Sequence, residues 1–451
     1  MTEEPSRRKA HVPSGARARS TDGGGPDGGG PDGEARPAPH HEAVATVRHA
    51  RARRDRRVVR VVGLVMTAVL ALGVSGAAAL VVKSLSNVDQ VDNQALVAPE
   101  ASRPAAATPD PADPLAGLPV NLVLIGSDDR SGVNEAIGGA EDGMRSDTTM
   151  LLHISADRTR VELVSIPRDL MIPVPECTVT GGGTTKASSS AMFNSAFSRG
   201  WDAGQDLASA ATCTQMTVEQ ISGVRTDGFM VVDFAGFQTM VDALDGVPMC
   251  IPEDMDDEDA NLHLTAGNHV LSGTEALALA RARHGLSDGS DTYRMGRQQA
   301  LLAALTQSVL SKNILTDLPS LIRFLDAATS SLSISGGVDL KGLAFSLRSV
   351  RPEAVTFLTI PSGPMPSNPA RVVLADEAQD VWARLAADQP VVEDEATGTP
   401  TTPATPDTAT IPPGDTTTGA PTDTETVAPV DPLADRLPGE AITSADAKET
   451  C

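Results

Sequence analysis

The sequence predicts an α/β fold in which a mixed central sheet is flanked by helices, an αβα sandwich, with one N-terminal transmembrane helix and disordered tails around it. Three observations lead there. Between residues 118 and 388, strand-like and helix-like segments alternate, the pattern of a sheet with helices packed on its faces. At the start of that region lie three apolar runs, the last two joined by a connection too short to cross over a sheet. On either side the composition becomes poor in large apolar residues, which leaves too little to bury a core.

Residues 1–60 carry GGGPDGGGPDG and many arginines, with hardly a large apolar side chain before Val58, and are expected to form a disordered basic arm. Val61–Val82 is an uncharged apolar run between Arg60 and Lys83, long enough to cross a bilayer as a helix. The arginines of RARRDRRVVR on its N-terminal flank place that flank in the cytoplasm, and so put the rest of the chain outside the membrane. A cleaved signal peptide processed near Ala77–Ala79 is the competing reading; the apolar run continues past those alanines, and the preceding arm is longer than a signal's charged region. Residues 83–117, rich in Pro, Ala and Asp, read as a linker holding the folded part away from the membrane.

Within 118–388, Val120–Ile125 reads as a buried strand stopped by Gly126. Thr148–Ile154 and Val161–Ile166 are aliphatic and β-branched, and the short Ser155–Arg160 connection makes them an antiparallel pair. Further strands are expected at Phe229–Phe234, Val247–Ile251 and Val355–Ile360. Helices are expected at Phe237–Leu244, Thr274–Arg281, Met295–Ser311, Leu318–Ala328, Leu340–Val350 and Glu377–Ala387. Residues 389–451 are a low-complexity Thr/Pro/Asp tail ending in Cys.

The net charge is −23 although the N-terminal arm is basic, so the portion beyond the membrane is more acidic still. That argues against nucleic acid as a partner, since phosphate backbones are bound by basic surfaces. The acidic EDMDDED at Glu253–Asp259 lacks the spacing and glycine of an EF-hand and is read as a solvated turn. His153, His263, His269 and His284 are scattered without zinc spacing. The four cysteines, Cys177, Cys213, Cys250 and Cys451, would lie on the oxidising side and permit three pairings. The favoured one joins Cys177 to Cys213 around the glycine-rich insertion, which leaves Cys250 to anchor the terminal Cys451.

Chemistry concentrates at the ends of the first three strands. Asp128, Asp129 and Arg130 follow the first, Arg145 and Asp147 precede the second, and Arg168 and Asp169 follow the third. Any one of these alone would read as a solvated rim with weak ion pairs. Their density describes a site for a metal-bound polyanion, because carboxylates suit a hard divalent cation and guanidinium forks match phosphate oxygens. Arg281 and Arg283 follow a helix, and Arg294, Arg297 and Gln298 share a face of the next, adding to an expected seven guanidiniums around one pocket. Leu301, Leu302, Leu305 and Val309, with Phe229, Val231, Phe234 and Phe237, would line a lipid pocket, or form plain core. An aromatic content of 2% suits an aliphatic, isoprenoid-binding wall better than stacking on bases or sugars.

The ordered segments GSDDR, RSDTTMLLHI, VSIPRD, MFNSAF, TDGFMVVDFAGFQTMVDALDGV and LSGTEALALARARH with SDTYRMGRQQ closely resemble the LytR-CpsA-Psr family of bacterial cell-wall glycopolymer ligases, in its actinobacterial form. The resemblance covers roughly residues 118–385. It implies Mg²⁺ or Mn²⁺ held by Asp128 and Asp147, and a polyprenyl-pyrophosphate-linked glycan gripped by Arg130, Arg168, Arg281, Arg283 and Arg297. It also implies transfer of the glycan phosphate to a peptidoglycan hydroxyl at the outer face of the cell membrane, with Asp169 or Asp291 as the candidate base. Arg145, Arg294 and Gln298 join the diphosphate site by position. A hydrolase that only cleaves the lipid pyrophosphate uses the same groups, and an envelope regulator or transcriptional attenuator is a third reading; no basic helix-turn-helix supports the last. The chain departs from the family pattern at Asp245, where a second turn glycine is usual, and before Asn194, where lysine and isoleucine are usual.

Overall fold

The computed structural model describes residues 88–108, 117–128, 144–282, 291–311, 318–338, 343, 347, 350–392, 438–447 and 451. The basic arm, the apolar run Val61–Val82, most of the helix expected at Leu340–Val350, and Asp129, Arg130 and Arg283 lie outside them. Among the described residues no helix is long and apolar enough to cross a membrane.

The first strands are β1 (Asp89–Val91), β2 (Val120–Ser127), β3 (Ser146–Ile154), β4 (Val161–Ile166), β5 (Met171–Val174) and β6 (Ser188–Met192). Helices α1 (Ser195–Gly204) and α2 (Leu207–Ser222) follow, then β7 (Gly228–Val232), α3 (Phe234–Ala243), β8 (Val247–Ile251), β9 (Met255–Asp257), β10 (Leu262–Leu264) and β11 (Gly267–Leu271). The remainder comprises α4 (Gly273–Arg281), α5 (Asp291–Ser311), α6 (Leu318–Ser330), β12 (Leu332–Ser335), β13 (Val355–Thr359), β14 (Ser362–Met365), β15 (Asn368–Leu374), α7 (Ala378–Ala386) and β16 (Ala441–Thr443). Polar caps set several helix starts. Asp206 and Asp233 accept from Ser209 and Gly236 N–H groups at 2.8 and 2.7 Å, and Ser272 with Glu275 closes a capping box on α4.

Eight strands form the central sheet in the order β1-β12-β7-β2-β3-β4-β13-β16. β2 runs parallel to β7, and β4 parallel to β13, while β3 lies antiparallel between β2 and β4, as the short Ser155–Arg160 connection requires. The carboxyl ends of β2, β4, β7 and β13 therefore meet along one edge, beside the start of β3. In open α/β sheets that edge is where ligands bind.

Strand alternation divides the core. Leu122, Met150, Leu152, Leu163 and Phe357 face a layer that includes α3, α4 and α5. Val123, Ile125, Leu151, Val164 and Phe229 face the layer of α1, α2 and α7. In the second layer α1 packs so closely on α2 that a Cβ at Gly200 would stand 2.4 Å from the Ser209 carbonyl oxygen. The turn after α3 absorbs the family departure at Asp245, which adopts φ 57° ahead of Gly246 at φ 88°, a conformation Asp tolerates better than most residues.

One expectation about the ends needs correction. The linker is not a free spacer over residues 88–108: β1 extends the sheet beside β12, and Arg103 forks onto the buried Glu219 and donates to the Thr226 carbonyl at 2.7 Å. The tail, read as unstructured from 389 to about 431, ends in order beyond that stretch: β16 pairs antiparallel with β13 at the opposite edge, placing Ile442 in the core. Main-chain pairing and a few buried side chains suffice for this, so low complexity upstream is no guide. Disulfides join Cys177 to Cys213 and Cys250 to Cys451, the favoured pairing.

His153 is fully buried at the far end of β3. Asn121 donates its amide to the Arg225 carbonyl, which leaves its Oδ1 to accept from His153 Nδ1 at 2.7 Å; His153 Nε2 meets Asp388 Oδ1 at 3.0 Å. Burial alone would raise the Asp388 carboxyl. Hydrogen bonds from His153 and the Ala156 N–H, with the charges of His153 and Arg160, outweigh it and hold the group below the usual carboxylate range. A depressed carboxylate stabilises above its unfolded pKa of about 3.9 and loses that contribution as pH falls through the folded value. Asp388→Asn, which tolerates the φ of 53° found here, is expected to cost about 1–2 kcal/mol at pH 7. Urea unfolding should show the deficit shrinking below about pH 4; a deficit independent of pH would contradict this latch.

Candidate functional site

The edge where the strands converge opens into a cavity of about 780 Å³ between the sheet and helices α3, α4, α5 and α6. Its inner wall is aliphatic, with Leu124, Met150, Leu163 and Met230 from the sheet and Leu301, Leu302, Leu305 and Val309 from one face of α5. Phe234 and Phe237 line it from α3. The leucine stripe of α5 thus faces a chamber as well as core. Phe229 and Val231 do not line it. They point to the opposite side of the sheet, into the α1–α2 layer, and the alternating Met230 and Val232 take the cavity positions. Phe229 and Val231 are plain core, the alternative to a pocket wall, and the cavity takes the other face of the same strand.

Charged groups gather at the strand ends. At the end of β2 a register shift at Gly126/Ser127 re-aims the chain, and Asp128 then pairs with Arg145 twice: its N–H donates to the Arg145 carbonyl at 3.0 Å, and its Oδ1 accepts from the Arg145 N–H at 2.6 Å. Arg168 Nη1 donates to Asp147 Oδ1 at 2.9 Å. Arg294 is 3% exposed and reaches the Asp147 carbonyl at 3.4 Å, so it enters from α5. Gln298 accepts from the Thr148 hydroxyl at 3.1 Å and donates to the Ala280 carbonyl at 2.9 Å, fastening α5 to both β3 and α4. Arg281 lies over the Phe234 ring, 4.9 Å from its centroid, a cation–π contact at the seam between polar and apolar walls.

The described arrangement therefore unites Asp128, Arg145, Asp147, Arg168, Arg281, Arg294 and Gln298 around one cavity. Arg297 stands apart. It is buried behind the wall, with Nη2 donating to the Ala282 carbonyl at 2.7 Å. Burial first, and then the neighbouring Arg294, lower its pKa, while Asp257 opposes them. Asp169 follows Arg168 but is not part of the cavity wall, and Asp291 opens α5 one turn before Arg294.

Asp257 corrects the solvated-turn reading of Glu253–Asp259. It is 2% exposed, accepts from the Ala260 N–H at 3.0 Å, and lines the cavity together with Asp259. Asn194 and Asp233 also line it without having been singled out as site residues. Asp233 carried a signal, its helix-capping position after a strand; Asp257 carried none, because its neighbours are distant in sequence. Among the described lining residues four arginines face five aspartates, so the expected large positive excess is absent from this part of the site. A carboxylate surplus beside arginine forks accommodates a divalent cation together with a phosphate.

The LytR_cpsA_psr family model matches residues 86–387. The cell wall biosynthesis protein LcpA of Corynebacterium glutamicum is 30% identical over 263 residues, covering 53% of this chain and 49% of that protein. The regulatory protein MsrR of Staphylococcus aureus is 28% identical over 244 residues, covering 54% and 64%. The chain thus spans about half the length of LcpA and under two thirds of MsrR. A solved LytR-Csp2A-Psr enzyme from Actinomyces oris aligns with a TM-score of 0.45 at 25% identity, covering 66% of this chain and 96% of that one.

The two faces of the sheet predict different mutant behaviour. Leu302→Trp fills the chamber from a half-buried position and should abolish uptake of an apolar fluorescent probe in a folded protein. Val231→Ala, on the other face, should cost about 2 kcal/mol in denaturant unfolding and leave probe uptake unchanged. The reverse pattern would mean that the cavity has been assigned to the wrong side.

Proposed function

We propose, from the premise that this chain belongs to the LytR_cpsA_psr family, that its folded domain is a membrane-anchored phosphotransferase. It moves a glycan phosphate from a polyprenyl diphosphate to a hydroxyl of peptidoglycan, outside the cell membrane. The observation that carries this reading is a chamber of aliphatic walls whose one rim bears arginines and aspartates. Such a shape suits a ligand with a long isoprenoid tail and a diphosphate head, since the tail leaves water while the head keeps charged partners.

The donor set fits Mg²⁺ or Mn²⁺. Asp128 and Asp147 stand at the rim, and no group of three or more candidate metal ligands occurs among the described residues. Mg²⁺ is commonly held by one or two carboxylates plus substrate phosphates and water, so two suffice. When bound, the cation would neutralise charge on the diphosphate. The chain's own residues do the rest. Arg168, Arg281 and Arg294 bind and orient the phosphoryl oxygens, Gln298 fixes the helix that carries Arg294, and the aliphatic wall excludes water from the lipid side. The acceptor oxygen attacks the phosphorus that bears the glycan, the bond to the polyprenyl phosphate breaks, and the hydroxyl proton passes to a carboxylate near the rim.

The experiment combines the purified domain, Mg²⁺, a labelled lipid-diphosphate glycan and peptidoglycan. Label entering the polymer supports transfer; label released only as free phosphoglycan identifies a hydrolase. Arg168→Ala should lower turnover at least 100-fold without unfolding the protein, because its ion pair with Asp147 is partly exposed and worth at most about 1 kcal/mol. Asp147→Asn should raise the Mg²⁺ concentration for half-maximal rate by about tenfold. An unchanged Mg²⁺ titration would remove Asp147 from the metal site.

A further inference from the structure

We propose that Asn194 forms the acceptor side of this site, with its carboxamide aiming the attacking sugar hydroxyl at the phosphorus beside Arg168; this rests on the transfer reading above.

Every other described residue of the cavity wall belongs to the sheet, to its loops, or to the layer containing α3, α4, α5 and α6. Asn194 alone among them is carried by the layer on the opposite face, at the start of α1, where Phe193, Ala196 and Phe197 pack into the second core. The lipid tail occupies the first layer's side of the sheet. A group that meets Asn194 therefore approaches the rim from the other direction, as an attacking nucleophile must when it lies roughly in line with a leaving group held among Arg168, Arg281 and Arg294.

The local backbone supports a role in substrate contact. Asn is a favoured helix cap, yet here its backbone is already helical (φ −61°, ψ −18°) and its side chain makes no capping bond. The helix start leaves the carboxamide for the cavity. Meanwhile the main chain is pinned: the Asn194 N–H donates to the Arg168 carbonyl at 3.0 Å, and the Phe193 N–H donates to the Leu170 carbonyl at 2.8 Å. The amide and the Arg168 guanidinium are thus carried by backbone segments bonded to each other, which fixes their separation without a bond between the side chains.

The chemistry also differs from that of its neighbours. A guanidinium only donates hydrogen bonds and an ionised carboxylate only accepts them, whereas a carboxamide does both. Asn194 Nδ2 donates to one lone pair of the acceptor oxygen, leaving its second lone pair for phosphorus and its O–H for a rim carboxylate, while Oδ1 accepts from a neighbouring sugar hydroxyl, so one side chain orients the acceptor without touching the donor. The bond changes are those already given: the acceptor oxygen bonds to phosphorus, the bond to polyprenyl phosphate breaks with its electron pair, and the proton leaves to a rim carboxylate.

The test separates donor from acceptor. Using the full chain in detergent with Mg²⁺, polyprenyl diphosphate affinity is measured by calorimetry, and rates are measured against peptidoglycan fragments and against water alone. Asn194→Ala should bind the lipid within threefold of the unaltered protein, raise the acceptor KM at least tenfold, and change hydrolysis by water less than threefold. Asn194→Ser, which retains one small polar group, replaces it if the alanine variant fails to fold, with the same expectation. Donor binding weakened as much as in Arg168→Ala, or an unchanged acceptor KM, overturns the assignment. If the unaltered protein binds no lipid diphosphate, the transfer reading itself has failed; if it binds and transfers while the variants keep the acceptor KM, only the role of Asn194 has failed.

Discussion

The paired hydrogen bonds between Asp128 and Arg145 close the end of the β2–β3 ladder, and the rim is built around them. They fix where β3 begins, hence where Asp147 stands, hence where Arg168 and Arg294 find their partners. Asp128 is only 7% exposed, so the hydrogen bond from the Arg145 N–H to its carboxylate is made largely out of water, where losing a donor costs about 1–3 kcal/mol. Charged groups can border a greasy chamber here because the backbone holds them in place, and surface ion pairs alone would not.

Both sheet edges are secured by chain from outside the central region. On one side β1 and the Arg103–Glu219 fork close the sheet; on the other β16 pairs with β13 and the Cys250–Cys451 disulfide ties down the terminus. An exposed edge strand invites pairing with another chain, and each clasp removes a stretch of such edge. The interior between them can then remain partly hollow. The missing packing of the chamber is offset by the solid core on the other face, where Phe193, Phe197, Phe229 and Trp382 are almost completely buried.

Much of this was readable from residues alone, for physical reasons that also explain the misses. Apolar runs with β-branched residues gave β2, β3, β4, β8 and β13 to within a few residues, and the six-residue Ser155–Arg160 connection dictated their antiparallel pair. α2 was invisible because it is buried nearly all round, with polar residues interleaved among Ala210, Ala211, Met216 and Val218. Thr214, Thr217 and Ser222 are buried by returning their hydroxyls to carbonyls four residues back, so no hydrophobic stripe appears. Only Asp206 before it and Gly223 after it marked its ends. The face of β7 was misread because aromatic residues drew attention to Phe229, when phase along the strand is set by tertiary packing. In the site, residues near strand ends were legible, whereas Asp257 depends on a fold that brings a hairpin to the wall and Arg297 close to it. Counting arginines overstated the positive charge because the compensating aspartates lie elsewhere in the chain.

The proposed ligand joins an isoprenoid tail in the chamber to a diphosphate at the rim. Native mass spectrometry of the purified protein, incubated with Mg²⁺ and an equimolar mixture of polyprenyl diphosphate and the matching polyprenol, tests that union most directly. The expected spectrum shows one diphosphate lipid per chain and little polyprenol. Equal capture of both lipids would mean that the charged rim has no part in recognition, and the protein mass alone would mean that the chamber is not a lipid site.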